Sequence, residues 1–98
     1  MEWEILHPEL EEVYTNGKSK GLPTIDERIA KKITIRLLQV EAVNGISELK
    51  ELRSIQLKKL KERNRYSLLI EDNVWLLVEV VKLENDEIEC LHIIDLFQ

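Results

Sequence analysis

The segment 57-LKKLKERNRYSLLIEDNVWLLVEV-80 decides how this chain is read. The cations Lys58, Lys59, Lys61, Arg63 and Arg65 run straight into two apolar stretches, Tyr66–Ile70 and Val74–Val80, separated by Glu71-Asp72-Asn73. Apolar runs of this length, divided by turn-forming residues, are strands joined by a hairpin. From Val74 to Leu83 only Glu79 and Lys82 are charged, the pattern of a central strand covered on both faces. Glu79 is the anomaly there. Either its face is open, or it pairs with a cation such as Arg65, which a tight hairpin brings alongside. Glu84-Asn85-Asp86-Glu87 supplies a second turn, and Ile88–Leu96 forms a last strand with Ile88, Cys90, His92 and Ile94 on one face.

Upstream of this segment the period changes from two to 3.6. Ile25, Ile29, Ile33, Leu37 and Val40 recur at helical spacing, with Arg28, Lys31, Lys32 and Arg36 largely off that stripe. They predict a helix from about residue 25 to 43. Thr24-Ile-Asp-Glu27 opens it with a capping-box pattern, and Asn44-Gly45 ends it. A shorter helix is expected over Pro8–Thr15: Pro8 suits the first helical position, Glu9, Glu11 and Glu12 follow, and Leu10, Val13 and Tyr14 form a narrow stripe. Trp3 and Ile5 alternate with acidic residues as a short edge strand, His7 leads into the helix, and Ser47 could cap one further turn. The expected fold is α+β: a twisted, mainly antiparallel sheet of about four to five strands, with two N-terminal helices packed on one face and the other partly open.

Ninety-eight residues is one domain's worth of chain, and 44% hydrophobic with 34% charged residues indicates a globular chain and excludes a disordered one. No apolar run reaches the roughly 20 residues that span a bilayer. The acidic start lacks the layout of a secretory signal, and Cys90 is the only cysteine, so the expected compartment is the cytoplasm. With one cysteine and only His7 and His92, a structural zinc site is not expected, and no motif leads to the expectation of a cofactor. The net charge of −5 conceals an asymmetry. Residues 50–65 carry seven bases and two acids (+5), whereas residues 66–98 carry one base and eight acids (−7). A local cationic patch on an acidic protein can hold phosphate, line a solvated strand edge or dock an acidic partner segment.

The same text resembles the RelE/ParE toxin superfamily, and more narrowly its HigB-type plasmid maintenance killer branch. The resemblance is carried in order by Tyr14-Thr-Asn-Gly-Lys-Ser-Lys-Gly21, Ile33-Thr-Ile-Arg-Leu-Leu-Gln-Val40, Leu57-Lys-Lys-Leu-Lys61, Arg65-Tyr-Ser-Leu68, Asn73-Val-Trp-Leu-Leu-Val-Glu-Val80 and Ile93-Ile-Asp95. It implies a toxin-like component of a toxin–antitoxin module, a metal-free, ribosome-dependent mRNA endoribonuclease held in check by a cognate antitoxin protein, with no membrane partner. On this resemblance Lys58, Lys61 and Arg65 are the catalytic candidates, and Lys59, Arg63 and Tyr66 the RNA-binding ones. The chain departs from the family pattern at three places, the first being Glu62, where the family has a glycine after the lysine. The arginine of Trp-Arg-Leu is replaced by Trp75 or Leu76, depending on alignment, and the terminal Asp-Tyr-His reads Asp95-Leu-Phe. Loss of one charge-stabilising donor typically costs about two to three orders of magnitude in rate. The same resemblance therefore admits a non-catalytic module of this fold that pairs with an antitoxin-like protein, or with itself, through the apolar sheet and long helix, and a gyrase-directed toxin of the ParE kind. Trp75 reads as core or as a base-stacking residue, Tyr66 as a half-buried strand tyrosine or a phosphate contact, and His92 as an inward histidine or a general base.

Overall fold

The computed structural model describes every residue except Thr24 and Asp86. Its elements run β1 (Glu2–Ile5), α1 (Pro8–Asn16), α2 (Glu27–Ala42), α3 (Ile46–Leu49), β2 (Lys58–Lys59), β3 (Arg65–Glu71), β4 (Val74–Leu83) and β5 (Ile88–Phe97). The fold is α+β, with three helices and one five-stranded sheet in the order β1-β5-β4-β3-β2 among the described residues. β2, β3, β4 and β5 run antiparallel to one another in turn, while β1 lies parallel to β5, which makes the sheet mixed.

Helix α1 starts as its sequence dictates. Pro8 stands at the first helical position, and His7 caps the end by accepting a hydrogen bond at Nδ1 from the Leu10 amide, 3.3 Å away. Gly17 closes it with φ +81°, donating to the Val13 carbonyl at 2.8 Å, a conformation that glycine adopts without a Cβ penalty. Helix α2 is capped by Asp26, whose Oδ1 accepts from the Ile29 amide at 2.9 Å. Thr24, the cap expected from sequence, lies outside the described residues. The predicted stripe Ile29, Ile33, Leu37 and Val40 is buried together with Ala30. Helix α3 is capped from a distance: Ile46 donates its amide to Glu89 Oε1 of β5 at 3.0 Å, and a Cβ on Gly45 would collide with that carboxylate. Gly45, not Ser47, occupies the cap position.

The strand alternation divides the sheet into two unlike faces. Tyr66 and Leu68 of β3, Val74, Leu76, Val78 and Val80 of β4, and Leu91 and Ile93 of β5 are buried, and they share one hydrophobic core with the stripes of α1 and α2. This is the buried face. Most of the alternate residues, among them Trp75, Leu77, Glu79, His92 and Phe97, are half-buried or exposed and form an open face, on which Ser67 and Cys90 are the buried members. Two bulges adjust the ladder, one between Leu69 and Glu71 and one at Leu77/Val78, where β5 carries Ile94 as its extra residue. No helix among the described residues is long and apolar enough to cross a membrane.

Candidate functional site

The cationic segment is organised by a hairpin. In β2, Lys58 pairs with Ser67 and Lys59 with Tyr66 of β3. The loop between the strands is tight: the Leu60 amide donates to the Arg65 carbonyl at 2.9 Å, the Arg65 amide to the Glu62 carbonyl at 3.3 Å, and Asn64 takes φ +63°. Asn tolerates that left-handed conformation better than most residues. Lys61 and Arg63 are held exposed on this loop.

Strand alternation then separates the candidates. Lys58 and Arg65 point to the open face; Lys59 and Tyr66 belong to the buried one. Tyr66 is only 7% exposed, with the Lys59 and Lys50 ammonium groups 5.2 and 5.4 Å from its ring centroid. The set Lys59, Arg63 and Tyr66, expected together as RNA contacts, is thus distributed over the buried face and the loop. Lys58 Nζ sits 4.7 Å from the centroid of Trp75, which is half-buried on the open face beneath it. A cation over an indole is held by the ring quadrupole, worth about 0.5–1 kcal/mol where exposed.

One row of the open face crosses four strands. Arg65 of β3 lies directly opposite Glu79 of β4, Glu79 opposite His92 of β5, and His92 beside Glu4 of β1. Arg65 Nε meets Glu79 Oε2 at 2.9 Å, and His92 Nε2 stands 3.7 Å from Glu4 Oε2. Both expectations for Glu79 hold at once: its face is open and it pairs with Arg65. With the two side chains about one-third exposed, this pair contributes no more than about 1 kcal/mol. The inward reading of His92 is corrected here. Its alternation with Cys90 is real, but their shared face is the open one; Leu91 and Ile93 are the inward set. The signal in the sequence is Glu79, a carboxylate that needs an open face and fixes the same parity for its β5 neighbour.

Arg36 does not join this row. Its guanidinium donates to the carbonyls of Leu69 at 2.9 Å and Ile70 at 3.3 Å and to Gln39 Oε1 at 3.0 Å, filling acceptors that the β3 bulge leaves open. Burial there pushes its pKa below the usual arginine value. A second charged cluster stands nearby: Arg28 and Lys32 of α2 converge on Glu71 at the end of β3, and the Arg28 hydrogen bond holds the Glu71 carboxyl below its ordinary pKa. Burial, with help from Glu2 and Glu4, pushes the Cys90 thiol up. Among the described residues no three His, Cys, Asp or Glu side chains are grouped to hold a metal ion.

A groove of about 630 Å³ opens beside this row. Arg63, Asn64, Glu79, Lys82 and Glu89 contribute most of its polar lining, with Ile46 of α3 at one side. Both signs of charge face into it, so it is not a dedicated anion site. No protein-family model matches the chain, and no curated protein is significantly similar to it.

Proposed function

We propose that the chain is a toxin-like protein of the RelE/ParE kind, acting in the cytoplasm with a cognate antitoxin, and that the open face of its sheet is the surface that handles RNA. Helices α1 and α2 cover the opposite face and serve as scaffold. The observation that carries this reading is that Lys58 from β2, Arg65 from β3 and His92 from β5 share one accessible face of one sheet. Metal-free RNA cleavage needs such a set. Cations hold the scissile phosphate and stabilise its developing charge, and a base accepts the proton of the attacking 2′-hydroxyl as the 5′-oxygen leaves. Lys58 and Arg65 take the first part and His92, oriented by Glu4, the second; Lys61 and Arg63 extend the cationic rim along the message. Tyr66 acts through the packing of the buried face, and Lys59, exposed at its edge, through its contact with the Tyr66 ring. Induction of the chain alone in a bacterial host, followed by primer extension on abundant messages, tests it: growth arrest with discrete cuts within codons is expected, and intact messages overturn it.

A second reading is favoured by the ion pair itself. Glu79 already neutralises Arg65, and the family's strand arginine is absent at Trp75 and Leu76. On this reading the same fold pairs with an antitoxin-like protein and cuts nothing. Healthy growth on induction, together with capture of a protein partner by the open face, separates it from the first.

A further inference from the structure

The open face has an order that neither reading uses. On β4 and β5 the directly opposed outward residues are Trp75 with Phe97, Glu79 with His92, Val81 with Cys90, and Leu83 with Ile88. Arg65 and Glu4 extend the Glu79–His92 pair by one strand on either side. The row therefore reads cation, anion, histidine, anion. A two-fold axis lying just above this face, parallel to the strands and midway between β4 and β5, sets each half of that row over the other half. It does the same for the two members of every β4–β5 pair.

We propose that the open face is the seat of a homodimer, two copies packed sheet to sheet about this two-fold axis. The operation lays the partner copy's Glu4 over Arg65 and its His92 over Glu79, so the cation meets a carboxylate and the carboxylate a histidine. It also lays the partner copy's Phe97 on Trp75 and its Ile88 on Leu83, so apolar rows meet apolar rows; Cys90, opposite Val81, is itself buried and adds little contact. Two places are mismatched: the Leu77–Asp95 pair, and Trp75, whose ring already carries the Lys58 ammonium that must swing aside for Phe97. A symmetric dimer interface must be self-complementary in this sense. The apolar supply is present: Phe97 at 41% and Leu83 at 37% are among the few large hydrophobic residues left exposed, and both belong to this face. Packed sheets stand roughly 10 Å apart, a gap that two layers of such side chains fill. Four strands at about 4.8 Å spacing and ten-residue β4 and β5 give a patch of roughly 500 Å² per copy, at the low end for a specific interface. The dimer is therefore weak and concentration-dependent. It does not depend on the toxin reading, but it covers Lys58 and Arg65, so the dimer and an RNA-bound form exclude each other.

Sedimentation equilibrium of the purified chain from roughly 1 to 500 μM reads the association directly. The average mass of the unmodified chain is expected to rise toward twice that of one copy. Glu4→Lys and Arg65→Glu each place like charges across the axis twice, so each alone is expected to weaken association at least about tenfold. In an equal mixture of the two variants, the lysine introduced in one copy faces the glutamate introduced in the other. The native pair is kept on the opposite side of the axis, and the dimer returns. Circular dichroism confirms that the variants fold; should Arg65→Glu fail to, Phe97→Ser replaces it as a variant expected to stay monomeric. A single-copy mass at all concentrations overturns the proposal. So does a dimer that Glu4→Lys leaves intact, or a mixture of folded charge variants that stays monomeric. Growth arrest by the unmodified chain reads the toxin function separately, so either idea can fail alone.

Discussion

The two faces of β4 are built from neighbouring residues under opposite constraints. Val74, Leu76, Val78 and Val80 are 7% exposed or less, and every one is a simple aliphatic. Trp75, Leu77, Glu79 and Val81 alternate with them, half-buried, and admit an indole and a carboxylate. The buried face cannot host an unpaired charge, because desolvation would cost more than the strand gains. The open face can, because water and a cross-strand partner share the load. Packing fixes shape on one side, and chemistry is available on the other. Stability should therefore respond to the buried face, and binding to the open one.

The largest effect is expected from Leu76→Ala. The side chain is 0% exposed, and its loss leaves a cavity in the middle of the sheet, costing about 2–5 kcal/mol by denaturant unfolding. Leu77→Ala, one residue along and on the open face, should cost clearly less. Equal costs would remove the distinction between the faces. Next comes Arg36→Met, which leaves the Leu69 and Ile70 carbonyls at the bulge without their donor and should cost about 1–3 kcal/mol. Glu79→Gln, on the open face, is expected to cost at most about 1 kcal/mol, a difference that shrinks further in high salt as the Arg65 pair is screened. A larger, salt-insensitive loss would mean that the row is structural.

The smallest effect concerns pH. Arg28 and Lys32 hold the folded Glu71 carboxyl below its ordinary value of 4.5. A depressed folded pKa stabilises the fold fully above the unfolded value and ceases to do so as pH falls through the folded one. Glu71→Gln should thus lower the melting temperature slightly at neutral pH and converge with the unmodified chain only once the pH has fallen below the depressed folded pKa of Glu71. Parallel curves at all pH values would contradict that linkage.

Local signals make part of this legible in the sequence. Pro8 and Gly17 mark α1, the Ile29–Val40 stripe marks α2, and Glu71-Asp72-Asn73 marks the β3–β4 hairpin, where Asn73 takes φ +61°. The hairpin also brings Arg65 to Glu79, because a tight turn fixes register. What stays hidden depends on long-range pairing. Nothing local says that β1 lies parallel to β5 or that Glu4 stands beside His92. In β5 the run Cys90-Leu-His-Ile-Ile94 is too uniformly apolar for alternation to assign faces, and the extra residue at Ile94 shifts the parity again. Strand β2 is only two residues long: Ile55 is fully buried outside it, and its carbonyl accepts from the Leu69 amide at 2.8 Å. Tyr66 reads as a half-buried strand tyrosine, whereas strand parity drives it into the core.

The most direct test of the account is a side-by-side induction of the unmodified chain and a Lys58→Ala, Arg65→Ala variant, with growth and the melting temperature of the purified proteins recorded together. Growth arrest by the unmodified chain alone, with the variant folded and melting within a few degrees of it, is the predicted result. Arrest by both chains, or by neither, would contradict the assignment of function to the open face.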